Sequence, residues 1–356
     1  MSISATLTRP HRTVAERVDA TLRAFLDDQV HRYPHAELPA VLGVVERFVL
    51  GGGKRMRPQF CYWGWRGAGG DDGQAIIEVG ASLELLHAFA LIHDDIMDAS
   101  DTRRGRPTVH RSLARLHERN GWSGDAGRFG VSTALLCGDL CSFWSDEMLH
   151  GCGLPAARLA AVRPLLNAMR TELCAGQYFD LAEQASGGTL EGALRVIRYK
   201  TGCYTVERPL QAGAALAGAG PGLQRAYSAY GVPIGEAFQL RDDILGVFGD
   251  PALTGKPVLD DLRDGKATVL MALTRRSADT AQLALIDRWH GNPALDEDGA
   301  AALRQTIVAT GALDQVQDMI EQRTSAALTA LDQADIDSDA RIALRDLGLR
   351  ATRRQV

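Results

Sequence analysis

The 356-residue chain is 46% apolar and 23% charged, which excludes an unfolded chain and leaves room for one large core or two ordinary domains. Its 39 basic groups face 44 acidic ones, a net charge of −5, and this argues against a nucleic-acid binder working through bulk charge. The six cysteines (Cys61, Cys137, Cys141, Cys152, Cys174, Cys203) have no paired C-x-x-C spacing and read as small buried hydrophobes of a reducing compartment.

The opening "MSISATLTRPHRTVAERVDA" has no apolar signal core, and no run approaches the roughly 20 apolar residues that span a bilayer. The expectation is a soluble, cytoplasmic protein with no stable membrane insertion, with frayed ends at residues 1–12 and at "LRATRRQV". Between them, apolar residues recur at helical spacing in "VDATLRAFLDDQV", "GASLELLHAFALIHDDIMD", "LEGALRVIRYKTG" and "DQVQDMIEQRTSAALTALDQA". Strand-like alternation is hard to find, so the predicted fold is all-α. Gly and Pro punctuation falls at 51–58, 103–107, 120–130, 184–188, 217–222 and 248–257. With no fixed-period repeat and no shift in composition, one helical domain over 13–350 is expected.

The segment "LIHDDIMDASDTRRGRP" sets Asp94, Asp95, Asp98 and Asp101 directly before Arg103, Arg104 and Arg106. On a helix Asp94 and Asp98 are four residues apart, about 6 Å along the axis and on one face. A hard divalent cation resolves that repulsion, since Mg²⁺ commonly takes one or two carboxylates and completes its shell with water and phosphate oxygens. Arg103 and Arg104 supply guanidinium forks for such a phosphate. A solvated acidic helix end is the alternative for one such motif. A second copy, "GEAFQLRDDILGVFGDPALTGKP", favours the metal site: Asp242 and Asp243 again end an apolar helix, Gln239 lies one turn before Asp243, and Lys256 and later Lys266 follow. In "GGGKRMRP" a nucleotide-loop reading fails, because Phe48 and Arg55 stand where Gly and Ser or Thr are needed. Lys54 and Arg57 there still suit a phosphate site of another kind. Lys200, in "IRYKTGCYT", reads by default as a snorkelling surface lysine.

Taken together, "GGGKRMRP", "LELLHAFALIHDDIMDASDTRRGRPTVH", "CGD" at 137–139, "GQYFD" at 176–180, "YKTG" at 199–202 and "FQLRDDILGVFGDPALTGKP" closely resemble the trans-isoprenyl diphosphate synthases. The resemblance runs in family order over about residues 45 to 270. It implies a helical bundle around a deep cavity, a homodimer, and condensation of isopentenyl diphosphate with an allylic diphosphate. By the same resemblance Asp94, Asp98 and Asp242 bind Mg²⁺, three ions per site. Arg103, Lys200 and Lys256 hold the allylic diphosphate, while Lys54, Arg57, His87 and Arg104 hold isopentenyl diphosphate. Thr201 and Gln239 line the region where the allylic cation forms, and Asp243 and Asp260 act through metal-bound water.

One position departs from the family. The third aspartate of the second motif is replaced by Gly246, which removes a carboxylate one turn beyond Asp242, although Asp250 lies a further turn along. For product length, Phe89 and Ala90, five and four positions before Asp94, resemble the geranylgeranyl pattern; aromatics at both would resemble the farnesyl one, which is the second reading. Phe89 as ordinary core is the bland reading. A class I terpene cyclase fits less well, because "DDILGVFGD" lacks that class's second metal motif; a non-catalytic subunit is favoured only by Gly246.

Overall fold

The computed structural model describes residues 12–249 and 259–353. Ten helices occupy the first stretch: α1 (Val14–Arg32), α2 (Leu38–Val49), α3 (Met56–Gly67), α4 (Gln74–Met97), α5 (Val109–Arg119), α6 (Ala126–Gly151), α7 (Ala156–Ser186), α8 (Leu190–Val196), α9 (Arg208–Ala217) and α10 (Pro221–Phe248). Further helices run from Asp260 to Thr352. The only strands among the described residues are the two-residue pieces β1 (Thr102–Arg103) and β2 (Arg106–Pro107), paired antiparallel, so the all-α expectation holds.

Local chemistry sets the elements. Thr13 and Glu16 close a capping box at the start of α1, and Val18, Leu22 and Leu26, four residues apart, form its buried stripe. Helix α4 is apolar on every side because α1, α3, α5 and α6 surround it. It corrects one expectation. An 18-residue window of α4 has mean hydropathy 1.8, long and apolar enough to cross a bilayer by length and composition, but 67% of that window is buried inside the fold, as in a core helix. At the carboxyl end the frayed-tail expectation also fails in part: the last helix reaches Thr352, with Ala351 and Thr352 buried. The other frayed end, apart from Arg12, and Asp250 and Lys256 lie outside the described residues.

Residues 190–217 run without interruption. Between α8 and α9, residues Ile197–Glu207 are π-helical, and the Arg208 amide still donates five residues back to Cys203. Such wide turns are uncommon in helices and concentrate at functional sites. Helix α10 packs on this π segment and on the helix Ala312–Gln333. The closest approach is at two glycines: a Cβ on Gly235 would lie 2.5 Å from the Gly202 Cα. That contact sets α10 and the π segment side by side. One apolar cluster fills the space among α1–α7, and a second lies under the carboxyl-terminal helices. A third, around Phe60, Tyr227, Tyr230 and Leu344, ties α3, α10 and the last helix together.

The glycine-rich segment before α3 is pinned by Arg55, whose backbone takes a left-handed φ of 48° and whose side chain is 4% exposed. Its guanidinium donates to Asp19 at 2.7 Å, to Glu84 at 2.8 Å and to the Val49 carbonyl at 2.8 Å, joining α1, α2 and α4. Arg55→Met leaves Glu84 buried without its cation and should cost about 3–5 kcal/mol. Urea unfolding measures this; an unchanged midpoint would show that the pair does not hold the segment.

Candidate active site

Lys54, Arg57, Asp94, Arg103, Arg104, Lys200, Asp242 and Lys266 meet in one cavity of about 830 Å³ between α4, α7, the π segment and α10, while Asp98 and Asp243 are not among the residues that line it. Its mouth is shaped by the β1–β2 hairpin, whose two turn residues, Arg104 and Gly105, both have positive φ (54° and 70°). That is the requirement of the tight hairpin turn whose twist matches the strands. The turn folds Arg103 back onto α4, where its Nη2 donates to Asp94 Oδ2 at 2.9 Å and its Nε to Asp95 Oδ1 at 2.6 Å. Arg104 donates to the Gly52 carbonyl. Within the dense mixture of signs in residues 94–106, Arg103 therefore pairs with two aspartates, Asp94 and Asp95, while Asp101 pairs with Arg111 further on.

Asp94 has a second cation. Lys200 Nζ donates to Asp94 Oδ1 at 3.0 Å and to Asp180 Oδ2 at 2.6 Å. Lys200 is thus held between two carboxylates rather than snorkelling, and the crossing that brings it there needs a glycine. A Cβ on Gly176 of α7 would stand 2.4 Å from the Lys200 amide nitrogen. Burial alone would raise the Asp94 pKa, but Lys200 and Arg103 hold it down at about 2. Asp98, the cap of α4, has weaker company: Lys266 Nζ stands 3.9 Å away. Burial and the Asp94 charge push Asp98 up to about 6, Lys266 notwithstanding. Asp95 is likewise pushed to about 6 by burial, and its Oδ2 has no hydrogen-bond partner.

On the opposite wall Asp242 lines the cavity, while Asp243 is 9% exposed and accepts from Gln239 Nε2 at 2.8 Å. Gln239 Oε1 in turn accepts from Thr201 Oγ1 at 2.6 Å. This chain of two bonds fixes the amide of Gln239, and burial raises Asp243 to about 7. Lys54, Arg57, His87 and Arg104 also line the cavity. Arg57 donates to Thr205 at 2.8 Å and lies 4.3 Å above the Tyr204 ring. Burial, then Arg57 and Arg104, drive the His87 pKa well down, so it faces the cavity neutral. Phe89 and Ala90 line the same cavity, Phe89 edge-on to His93 at 4.8 Å.

Beside Asp260, the carboxylate of Asp261 reaches Lys266 at 3.2 Å. Asp180 and Asp261 were not singled out by sequence reasoning. Asp180 closes the "GQYFD" motif, but nothing in the sequence says that it faces Lys200.

The donors at the two acidic ends are all carboxylate oxygens, the set that suits Mg²⁺. Among the described residues no group of three or more His, Cys, Asp and Glu side chains could hold a metal ion by itself. Mg²⁺ commonly takes one or two carboxylates and completes its shell with water and phosphate oxygens.

Residues 39–307 match the family model described as polyprenyl synthetase. A geranylgeranyl diphosphate synthase of Mycobacterium tuberculosis is 36% identical over 299 residues, 83% of this chain and 79% of the relative. A (2E,6E)-farnesyl diphosphate synthase of the same organism is 37% identical over 264 residues, 73% of this chain and 68% of the relative. A solved geranylgeranyl pyrophosphate synthase from Corynebacterium glutamicum, complexed with isoprenyl diphosphate and magnesium, superposes with a TM-score of 0.93 at 41% identity, covering 96% of this chain and 99% of that one.

Since Asp94 is engaged by Lys200 and Arg103, an anion that draws those cations away exposes the carboxylate to a metal ion, and a metal ion frees the cations for the anion. Mg²⁺ and inorganic pyrophosphate together should raise the unfolding temperature by more than the sum of their separate effects. The effect should shrink from pH 7.5 to pH 5.5, because Asp98, with its pKa near 6, must lose a proton to bind metal. Strictly additive shifts would contradict the coupling; differential scanning fluorimetry reads both.

Proposed function

The chain belongs to the polyprenyl synthetase family, and from that premise we propose that it condenses isopentenyl diphosphate head to tail with an allylic diphosphate to make geranylgeranyl diphosphate. Farnesyl diphosphate is the second reading for the product. The observation that carries the proposal is the pairing of Asp94 with Arg103 and Lys200 across from Asp242, in a cavity that holds a second basic cluster. Two cation clusters suit two diphosphates. A cyclase, which uses one, has no need of Lys54, Arg57 and Arg104.

In the reaction Arg103 and Lys200 bind the allylic diphosphate and take up the charge that grows on it as the carbon–oxygen bond breaks. Mg²⁺, held through Asp94, Asp98 and Asp242 with a complement of three ions, supplies further neutralisation of the leaving group. The Thr201 hydroxyl and the fixed Gln239 amide place polar atoms beside the allylic carbocation. Lys54, Arg57 and Arg104, with His87 as a neutral donor, hold isopentenyl diphosphate so that its double bond attacks the cation. A proton then leaves to the departing pyrophosphate. Asp180 orients Lys200, and Asp243 orients Gln239.

Phe89 limits the chain because it stands at the cavity wall five residues before Asp94, with Ala90, one turn before Asp94, leaving space beside it. A second copy of the chain covers the outer face of α6, where Leu136 and Phe143, seven residues apart, are 63% and 66% exposed. The cytoplasm suits six free cysteines, five of them buried. The structural unit runs over residues 13–350.

The test is incubation with Mg²⁺, isopentenyl diphosphate and, separately, dimethylallyl, geranyl or farnesyl diphosphate, with mass spectrometry of the products. A linear C20 diphosphate is expected; a cyclic hydrocarbon formed without isopentenyl diphosphate would overturn the proposal. Phe89→Ala should lengthen the product by one or more isoprene units, and an unchanged product removes Phe89 as the floor. Lys200→Gln should lower kcat roughly 10²–10³-fold, the usual loss when one donor to a developing charge is removed.

A further inference from the structure

A second, smaller cavity of about 170 Å³ borders the β1–β2 hairpin, the end of α2 and the start of α5. It shares Arg103 and Arg104 with the larger cavity and adds Arg47 and Arg106, and among the described residues no acidic side chain lines it. Four guanidinium groups around so small a space repel one another. Arg103 is answered by Asp94 and Asp95, but among the described residues none of Arg47, Arg104 and Arg106 pairs with a carboxylate. Asp101, just before the hairpin, is taken by Arg111 at 2.6 Å. Arg104 donates only to a neutral group, the Gly52 carbonyl. Burial lowers its pKa, Glu84 opposes the fall, and the charges of Arg55, Arg103 and Arg57 add to it. The backbone keeps the pocket open. A Cβ on Gly51 would lie 2.7 Å from the Arg47 carbonyl oxygen, so no side chain fits beside Arg106, whose Nη1 is 3.5 Å from that point. Buried Val44 and Val109 complete the lining with apolar surface.

We propose that this pocket is a second anion site, which takes a diphosphate group on Arg47 and Arg106 and competes with the larger cavity for Arg104. Guanidinium forks bind phosphate oxygens in pairs, and a bound anion relieves the repulsion among the arginines. It also offers Arg104 charged oxygens in place of the Gly52 carbonyl. The volume takes a diphosphate but not a long prenyl chain. Each turnover of the proposed reaction consumes isopentenyl diphosphate and releases pyrophosphate, so two sources of this one chemistry are at hand. The anion site stands on the pocket alone, while the competition rests on the reading of Arg104 as a holder of isopentenyl diphosphate. Its consequence is a brake: as diphosphate accumulates, the isopentenyl diphosphate site loses one of its cations.

The test is calorimetric titration of the full chain with inorganic pyrophosphate and, in a second arm, with isopentenyl diphosphate, both in EDTA so that no metal bridges the anion to the aspartates. The wild type should bind more than one pyrophosphate per chain. Arg47→Gln/Arg106→Gln should lose one of these events or weaken it roughly 10–100-fold, the usual loss when hydrogen bonds to a charged group are removed. Both side chains are exposed, and circular dichroism confirms folding; should the double variant misfold, Arg106→Gln alone must show the loss. A loss in one arm identifies the occupant, and a loss in both means that either diphosphate enters. Unchanged titrations in both arms would overturn the inference, and so would sulfate binding there as tightly as pyrophosphate, which marks an adventitious ion only. In turnover without added pyrophosphate, kcat should be the same in the two proteins. Added pyrophosphate should raise the KM for isopentenyl diphosphate at least roughly fivefold more in the wild type, the low end of coupling between two sites. An equal rise overturns the competition. A chain that binds the second anion yet makes no prenyl diphosphate overturns the functional reading and leaves the anion site standing.

Discussion

A carboxylate as little exposed as Asp94, at 16%, is held ionised by the cations that stand against it. In this fold they come from two directions, Arg103 from the hairpin after α4 and Lys200 from the π segment, and each takes one oxygen. The rest of the site follows from satisfying that one charge. The hairpin must turn back within two residues, which Arg104 and Gly105 permit, and α7 must approach Lys200 closely, which Gly176 permits. Asp180 must hold the far side of Lys200. The site is consequently neutralised from within, and its own cations occupy the carboxylate that a metal ion would take on the proposed reading. Binding and chemistry then amount to an exchange of partners.

The same arrangement explains why metal and diphosphate belong together. On the proposed reading a hard cation at Asp94 and Asp98 would displace Lys200 and Arg103, which would then be ready to bind phosphate oxygens. Asp98 and Asp243, both pushed up by burial, gain most from a nearby positive charge. Deep burial of these acids is costly in the free protein, and a substrate that arrives with its metal recovers that cost.

Much of this was legible in the sequence because its signals are local. The helical periods predicted the all-α fold, and the cavity brings together Asp94, Asp242, Lys54, Arg57, His87, Arg103, Arg104, Lys200, Thr201 and Gln239, residues chosen from motifs far apart in the chain. What was not legible depends on long-range placement. A single lysine in an apolar helix reads as a snorkelling residue, and only the crossing of α7 at Gly176 shows Lys200 enclosed by two aspartates. The apolar length of α4 was missed because polar residues, among them Glu84 and His87, interrupt the run, although 67% of its 18-residue window is buried.

The most direct measurement is a crystal structure with Mg²⁺ and a non-ionisable allylic diphosphate analogue. The account predicts that Lys200 Nζ and Arg103 will have left Asp94 for oxygens of the diphosphate, with an ion on Asp94 in their place. A complex in which both cations remain on Asp94 while the diphosphate is held elsewhere would contradict it.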